Sequence, residues 1–186
     1  MLSTNIKEAT KNAHQQLEKK VVLQLKAIRS DADYAALLKN FYAYFNQVEK
    51  VIEPYITPEL LPDYKDRRNS SYLKQDIEAL GFTIDELPPA TAPEITNTHQ
   101  ALGALYVMEG SIMGGGIIVQ MLAKGGITNG VSFFSGYGPN TSEMWGKFIG
   151  TMNSHSITPT EQAAAIEAAN QTFTRFGEVF ESANVL

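Results

Sequence analysis

The chain has 186 residues and a formal net charge of −5, from 15 basic and 20 acidic side chains. That suits one domain over 1–186 with a core of its own, and no basic cluster exceeds two residues, which excludes nucleic acid as an expected partner. The absence of cysteine excludes disulfides, thiolate nucleophiles and iron–sulfur clusters, and the polar start MLSTNIKEAT, with no apolar signal region, points to the cytoplasm.

Asn5 and Glu8 are spaced as a capping pair, and Ser3 or Thr4 serves equally as the cap. A single helix is expected from there to about residue 25, with Ile6, Ala9, Ala13, Leu17 and Val21 as its apolar stripe. His14 stands beside that stripe. Lys7, two turns earlier, points the same way, about 10 Å along the axis. Ser30 and Asp31 open the next helix, which carries Tyr34, Leu37, Leu38, Phe41, Phe45, Val48 and Ile52 on one face. Pro54, Pro58 and Pro62 make a connector, followed by a short helix over 71–80 that Gly81 stops. Pro88, Pro89 and Pro93 make a second connector.

The chain is organised around 101–123, ALGALYVMEGSIMGGGIIVQMLA, within a helix expected over 98–123. Gly103, Gly110, Gly114, Gly115 and Gly116 lie inside it. Each interior glycine costs about 1 kcal/mol relative to alanine, so a helix carrying five needs backbone close to something. At about 100° per residue Gly103, Gly110 and Gly114 fall near one line, flanked by Ser111 and Gly115. That strip suits a large flat ligand, or a second helix packed closely. Gly110 and Gly114 also match a membrane dimer pattern, but Glu109 in mid-stretch and the lack of basic flanks argue against a membrane span. A kink is expected at 114–116.

Residues 131–140, VSFFSGYGPN, read as a loop, and 142–152 as a helix with Trp145 and Phe148 inward. Thr158, Pro159 and Glu161 stand in cap, first-turn and capping-box order for a last helix carrying Ala165, Ile166, Ala169, Phe173, Phe176 and Phe180. No segment alternates long enough for a sheet, so the fold class is an all-α bundle. Of the three histidines, His99 reads as a surface or cap residue and His155 as solvent-exposed. His14, with Lys7 on its face, has the arrangement of an imidazole ligand and an ammonium group at the edge of a haem.

His14 within EATKNAHQQLE, together with ALYVMEGSIMGGG and with FFSGYG followed by Trp145 and Phe148, closely resembles the haem oxygenase family. The likeness covers nearly the whole chain, is nearest to the bacterial branch that supplies biliverdin to phytochromes, and lacks the membrane tail of the animal enzymes. It implies haem between a proximal N-terminal helix and a glycine-rich distal helix. It also implies conversion of haem, O2 and reducing equivalents to biliverdin, CO and ferrous iron. By the resemblance His14 is the proximal iron ligand, and Gly110, Gly114 and Gly115 are distal glycines that let backbone approach haem. Lys7 matches a propionate-binding lysine, Tyr106 lies one position from the family's tyrosine, and Arg175 is a further propionate partner. Ser111 stands where many members have an aspartate that orders distal water. A serine holds water without supplying negative charge, and Glu109 is about 100° away round the helix.

The implied partners are haem, an external electron donor (a reductase or a ferredoxin) and a phytochrome that receives biliverdin. A haem carrier on the same fold, without turnover, is the alternative. A purely structural bundle would leave the glycines unexplained. The lack of cysteine and of a Glu-x-x-His pair excludes a thiaminase-like nucleophile and a di-iron oxidase.

Overall fold

In the computed structural model, which describes residues 1–182, the chain is built from α-helices, and no strand occurs among those residues. Residues 183–186 of the expected domain lie outside the described ones. The helices are α1 Leu2–Ala9, α2 Lys11–Ala27, α3 Asp31–Ile52, α4 Ser70–Ala79, α5 Thr98–Met113, α6 Gly115–Lys124, α7 Thr141–His155 and α8 Pro159–Ser182.

α3 starts where the sequence says: the Ser30 hydroxyl accepts the Asp33 N–H at 3.1 Å. α4 starts one residue early, capped by the Asn69 side chain, and gives way to Gly81 at φ +87°. α8 begins with a reciprocal capping box. The Thr158 hydroxyl accepts the Glu161 N–H at 3.2 Å, and the Glu161 carboxylate accepts the Thr158 N–H at 2.9 Å.

The N-terminus departs from the expected single helix. Helix begins at Leu2, so Asn5 is no cap; its side-chain amide donates to Gln162 Oε1 at 2.9 Å. The helix breaks at buried Thr10 (φ −103°, ψ 1°), whose hydroxyl donates back to the Ile6 carbonyl at 2.6 Å. The Ile6 carbonyl thus accepts from both the Thr10 hydroxyl and the Thr10 N–H, the latter at 3.0 Å, a double load of the kind that bends helices. Lys7 and His14 therefore belong to different helices and do not share one straight face.

α5 is the central element and packs on α8, α7 and α3. It buries Ala101, Leu102, Ala104, Leu105, Val107, Met108 and Ile112. Across it, Phe41 and Phe45 of α3 meet Phe176 of α8 at centroid distances of 5.0 and 5.7 Å, mostly edge to face. The apolar stretch Thr98–Lys124 is long and apolar enough to cross a membrane by composition, but half of its most apolar window is buried inside the fold.

Candidate active site

A cavity of about 360 Å³ opens between α2 on one side and α5, α6 and α7 on the other, with α8 at its base. His14, Leu17, Glu18 and Val21 of α2 form one wall; Tyr106, Gly110, Ser111, Gly114 and Ile117 of α5 and α6, with Trp145 of α7, form the opposite one. His14 lies flat against Phe173 of α8, with ring centroids 5.2 Å apart and planes 17° from parallel. Glu18, one turn after His14, is the one acidic side chain of the lining, and no Lys or Arg lines the cavity among the described residues. Tyr106 and Trp145 meet at 5.6 Å. Burial raises the Tyr106 phenol above its ordinary value, and a hydrogen bond with Thr10 opposes that rise.

The glycines divide by task. A Cβ on Gly110 would meet only the Trp145 ring, at 3.9 Å, and one on Gly114 only carbonyl oxygens of its own turn, at 3.8 and 3.9 Å. These two open the cavity wall, and Gly114 is also the joint at which α5 ends and α6 begins. Gly103 is off the strip: its Cβ would overlap the Ala165 carbonyl oxygen and stand 2.9 Å from that carbonyl carbon. It is there so that α5 and α8 can touch. Gly115 is likewise away from the cavity, because its Cβ would overlap the Phe134 carbonyl oxygen and stand 2.9 Å from the Phe134 Cα. That carbonyl is held in place by Asp76, which accepts the Ser132 and Phe133 N–H groups at 3.1 and 2.9 Å. The Ser111 hydroxyl donates to the Val107 carbonyl at 3.0 Å, a turn back in its own helix.

Lys7 is exposed on α1 and does not line the cavity. Arg175 is exposed on α8, pairs with Glu178 at 3.3 Å and does not line it either. His99 lies in the first turn of α5, half-buried, and shares a 2.9 Å hydrogen bond with Ser156. Exposed His155 ends α7 nearby, with ring centroids 5.5 Å apart, so these two histidines belong to a helix junction outside the cavity.

Sequence reasoning missed the buried charge behind the cavity wall. Arg67, 1% exposed, and Glu109, 3% exposed, pair at 2.9 Å. Arg67 also donates from Nε and Nη2 to the two Asp63 carboxylate oxygens at 2.9 and 3.1 Å, and from Nη2 to the Met144 carbonyl at 3.0 Å. The Tyr137 hydroxyl reaches Glu109 at 3.3 Å and accepts the Arg68 N–H at 2.9 Å. Burial pushes the Glu109 carboxyl up from its ordinary value, against the pull of Arg67. Glu109 beside the glycines was the visible signal; its partner lies 42 residues away in sequence.

A model of the family described as Heme oxygenase matches residues 1–182. Heme oxygenase of Xanthomonas campestris pv. campestris is 26% identical over 149 residues, spanning 78% of this chain and 88% of its own length. Heme oxygenase PigA of Pseudomonas aeruginosa is 22% identical over 174 residues, spanning 92% of this chain and 87% of its own. The NO- and CO-bound heme oxygenase of Neisseria meningitidis matches the fold with a TM-score of 0.86 at 20% identity, over 100% of this chain and 93% of that one. With its all-α fold and a family match that spans every described residue, the chain belongs to the haem oxygenase family.

Proposed function

We propose that the protein is a soluble, cytoplasmic, single-domain enzyme that cleaves haem oxidatively to biliverdin, CO and ferrous iron, holding it between α2 and α5. The observation that carries the reading is the cavity itself: apolar walls, one imidazole on α2, and a stretch of bare α5 and α6 backbone opposite. Those residues suit a flat apolar macrocycle with a central metal. The volume, about 360 Å³, lies within the range of small-molecule sites.

When bound, haem supplies both the iron that activates O2 and the carbon that is oxidised. The chain's own residues orient and shield. His14 is the residue that would hold the iron through an imidazole nitrogen, with its ring laid against Phe173. Glu18, one turn on, is the one carboxylate of the lining, the kind of group that usually partners a metal-bound histidine. Gly110 and Gly114 would leave room for O2 and water beside a bound haem, because they put no side chain into the cavity. Ser111, its proton committed to Val107, keeps lone pairs that can accept a hydrogen bond from water. Gly115 supports this wall from behind by seating the Phe134 carbonyl. With no cation in the lining, the propionates would belong at the open side of the cavity, in water; Lys7 and Arg175 stay proposed as their partners on the family resemblance alone.

Electrons come from outside the chain, from a reductase or ferredoxin, and a phytochrome is a fitting receiver of biliverdin. Hemin titration should give a Soret band that saturates at one equivalent. Reductant and air, with catalase present, should then replace it with biliverdin absorption and chelatable iron. Haem that is reduced yet survives would make the protein a carrier on the same fold.

A further inference from the structure

Arg67 follows a short 3-10 turn, Tyr64–Asp66, in the connector between α3 and α4. Its guanidinium is among the largest fully buried side chains in the molecule. A charge so placed must be matched by several partners to be tolerated. The three nitrogens make four hydrogen bonds: two to Asp63, which anchor the fork within the connector, one to Glu109 on α5, and one to the Met144 carbonyl on α7. The last two contacts share a feature. Glu109 immediately precedes Gly110, and Met144 immediately precedes Trp145. Gly110 and Trp145 are the residues whose close approach forms the cavity wall.

We infer that Arg67 is a positioning residue for the distal wall: by gripping Glu109 and Met144 at once, it sets how far the Trp145 indole stands from the α5 backbone at Gly110, and so which edge of the substrate is presented for oxidation. A planar guanidinium does this because its donors diverge in one plane. A lysine at the same place presents three donors from one point and cannot span Asp63, α5 and α7 together. Tyr137 completes the clamp from the loop side, reaching Glu109 at 3.3 Å.

The role in product choice rests on the haem oxygenase reading, whereas the wall geometry does not. Trp145 is the chain's one tryptophan, so its fluorescence reports the wall in haem-free protein. In Arg67→Lys we expect Trp145 emission shifted to the red and quenched more readily by acrylamide, with unchanged far-UV circular dichroism. With hemin, reductant and air we expect an isomer ratio of biliverdin different from wild type. Ile77→Ala is the control: Ile77 is buried on α4, which makes no contact with α7, and the change should lower the melting temperature without moving either readout. If Arg67→Lys does not yield folded protein, Glu109→Gln is read in the same two ways and should move both in the same direction.

A folded variant with wild-type quenching would overturn the positioning role whatever haem does. Moved quenching with an unmoved isomer ratio would overturn the role in product choice. A control that moves both readouts would reduce them to stability and overturn the inference. A wild-type protein that binds no haem would sink the proposed function while leaving the quenching result to stand.

Discussion

His14 and Phe173 stack at 5.2 Å, and through them α2 is registered against α8 at the cavity base. A lone imidazole on a helix turns freely about its side-chain bonds; one laid on a buried aromatic ring does not. His14→Ala should abolish the iron–histidine stretch in the resonance Raman spectrum of reduced, haem-loaded protein and weaken hemin binding. Phe173→Leu keeps an apolar side chain but gives up a ring contact worth about 0.5–1.5 kcal/mol. It should weaken hemin binding up to about tenfold while the iron–histidine band survives. A band that persists in His14→Ala would move the ligand elsewhere.

The glycines offer a test on apo-protein alone. Gly103 and Gly115 each face a carbonyl that a methyl group would overlap. Alanine at either position must push α5 from α8, or the wall from the loop bearing Phe134, and such overpacking costs typically 1–3 kcal/mol. Gly116 has open space where a Cβ would go, inside α6. Gly116→Ala should therefore gain about 0.5–1 kcal/mol from helix propensity. Thermal melting of the three variants should show two falls and one rise. Equal behaviour at all three would contradict the division of tasks.

What could be read from the sequence was local. The Ser30 cap, the Thr158–Glu161 box and the joint at Gly114 depend on residues within a few positions, and each is where the spacing put it. The break at Thr10 is not visible in the sequence because the apolar stripe runs past it unchanged, and the Thr10 hydroxyl bond to the Ile6 carbonyl leaves no mark in the spacing. The five glycines looked alike in one dimension. Only tertiary neighbours (the Ala165 and Phe134 carbonyls on one side, open cavity on the other) separate spacers from site. Glu109 lies about 100° round the helix from the strip; what it meets there is Arg67, which helical periodicity cannot reveal.

Acid should act on the capping box. The Glu161 carboxyl is held below its ordinary value, chiefly by the Thr158 N–H, then by the Ile157 N–H, with the Thr158 hydroxyl and His99 adding to it. A carboxylate with a lowered folded-state value stabilises the fold above its unfolded value, near pH 4.3. That contribution is lost as pH falls through the folded value. Glu161→Gln retains an oxygen acceptor but no charge. The wild type should melt above the variant at neutral pH, and the gap should close in acid. A gap that widens on acidification would reverse the sign and refute the role given to this carboxylate.

Gly114→Leu sets chemistry against folding. Gly114 is at the joint of α5 and α6, with right-handed backbone (φ −81°, ψ −7°) that any residue adopts. Its missing Cβ would meet nothing nearer than 3.8 Å. Leucine there should leave apo-protein folded, with up to about 1 kcal/mol gained in helix propensity. The same side chain would enter the cavity that Gly114 lines, opposite His14. It would take the space left for O2 and water and crowd the haem towards α2. The expected outcome is an apo melting temperature near that of wild type, weaker hemin binding, and a large loss of biliverdin per bound haem. If Gly114 instead served packing, overpacking would cost typically 1–3 kcal/mol, and the apo-protein would melt about 2–6 °C earlier. Early melting with normal turnover per bound haem would remove Gly114 from the site and return the glycine strip to a purely structural role.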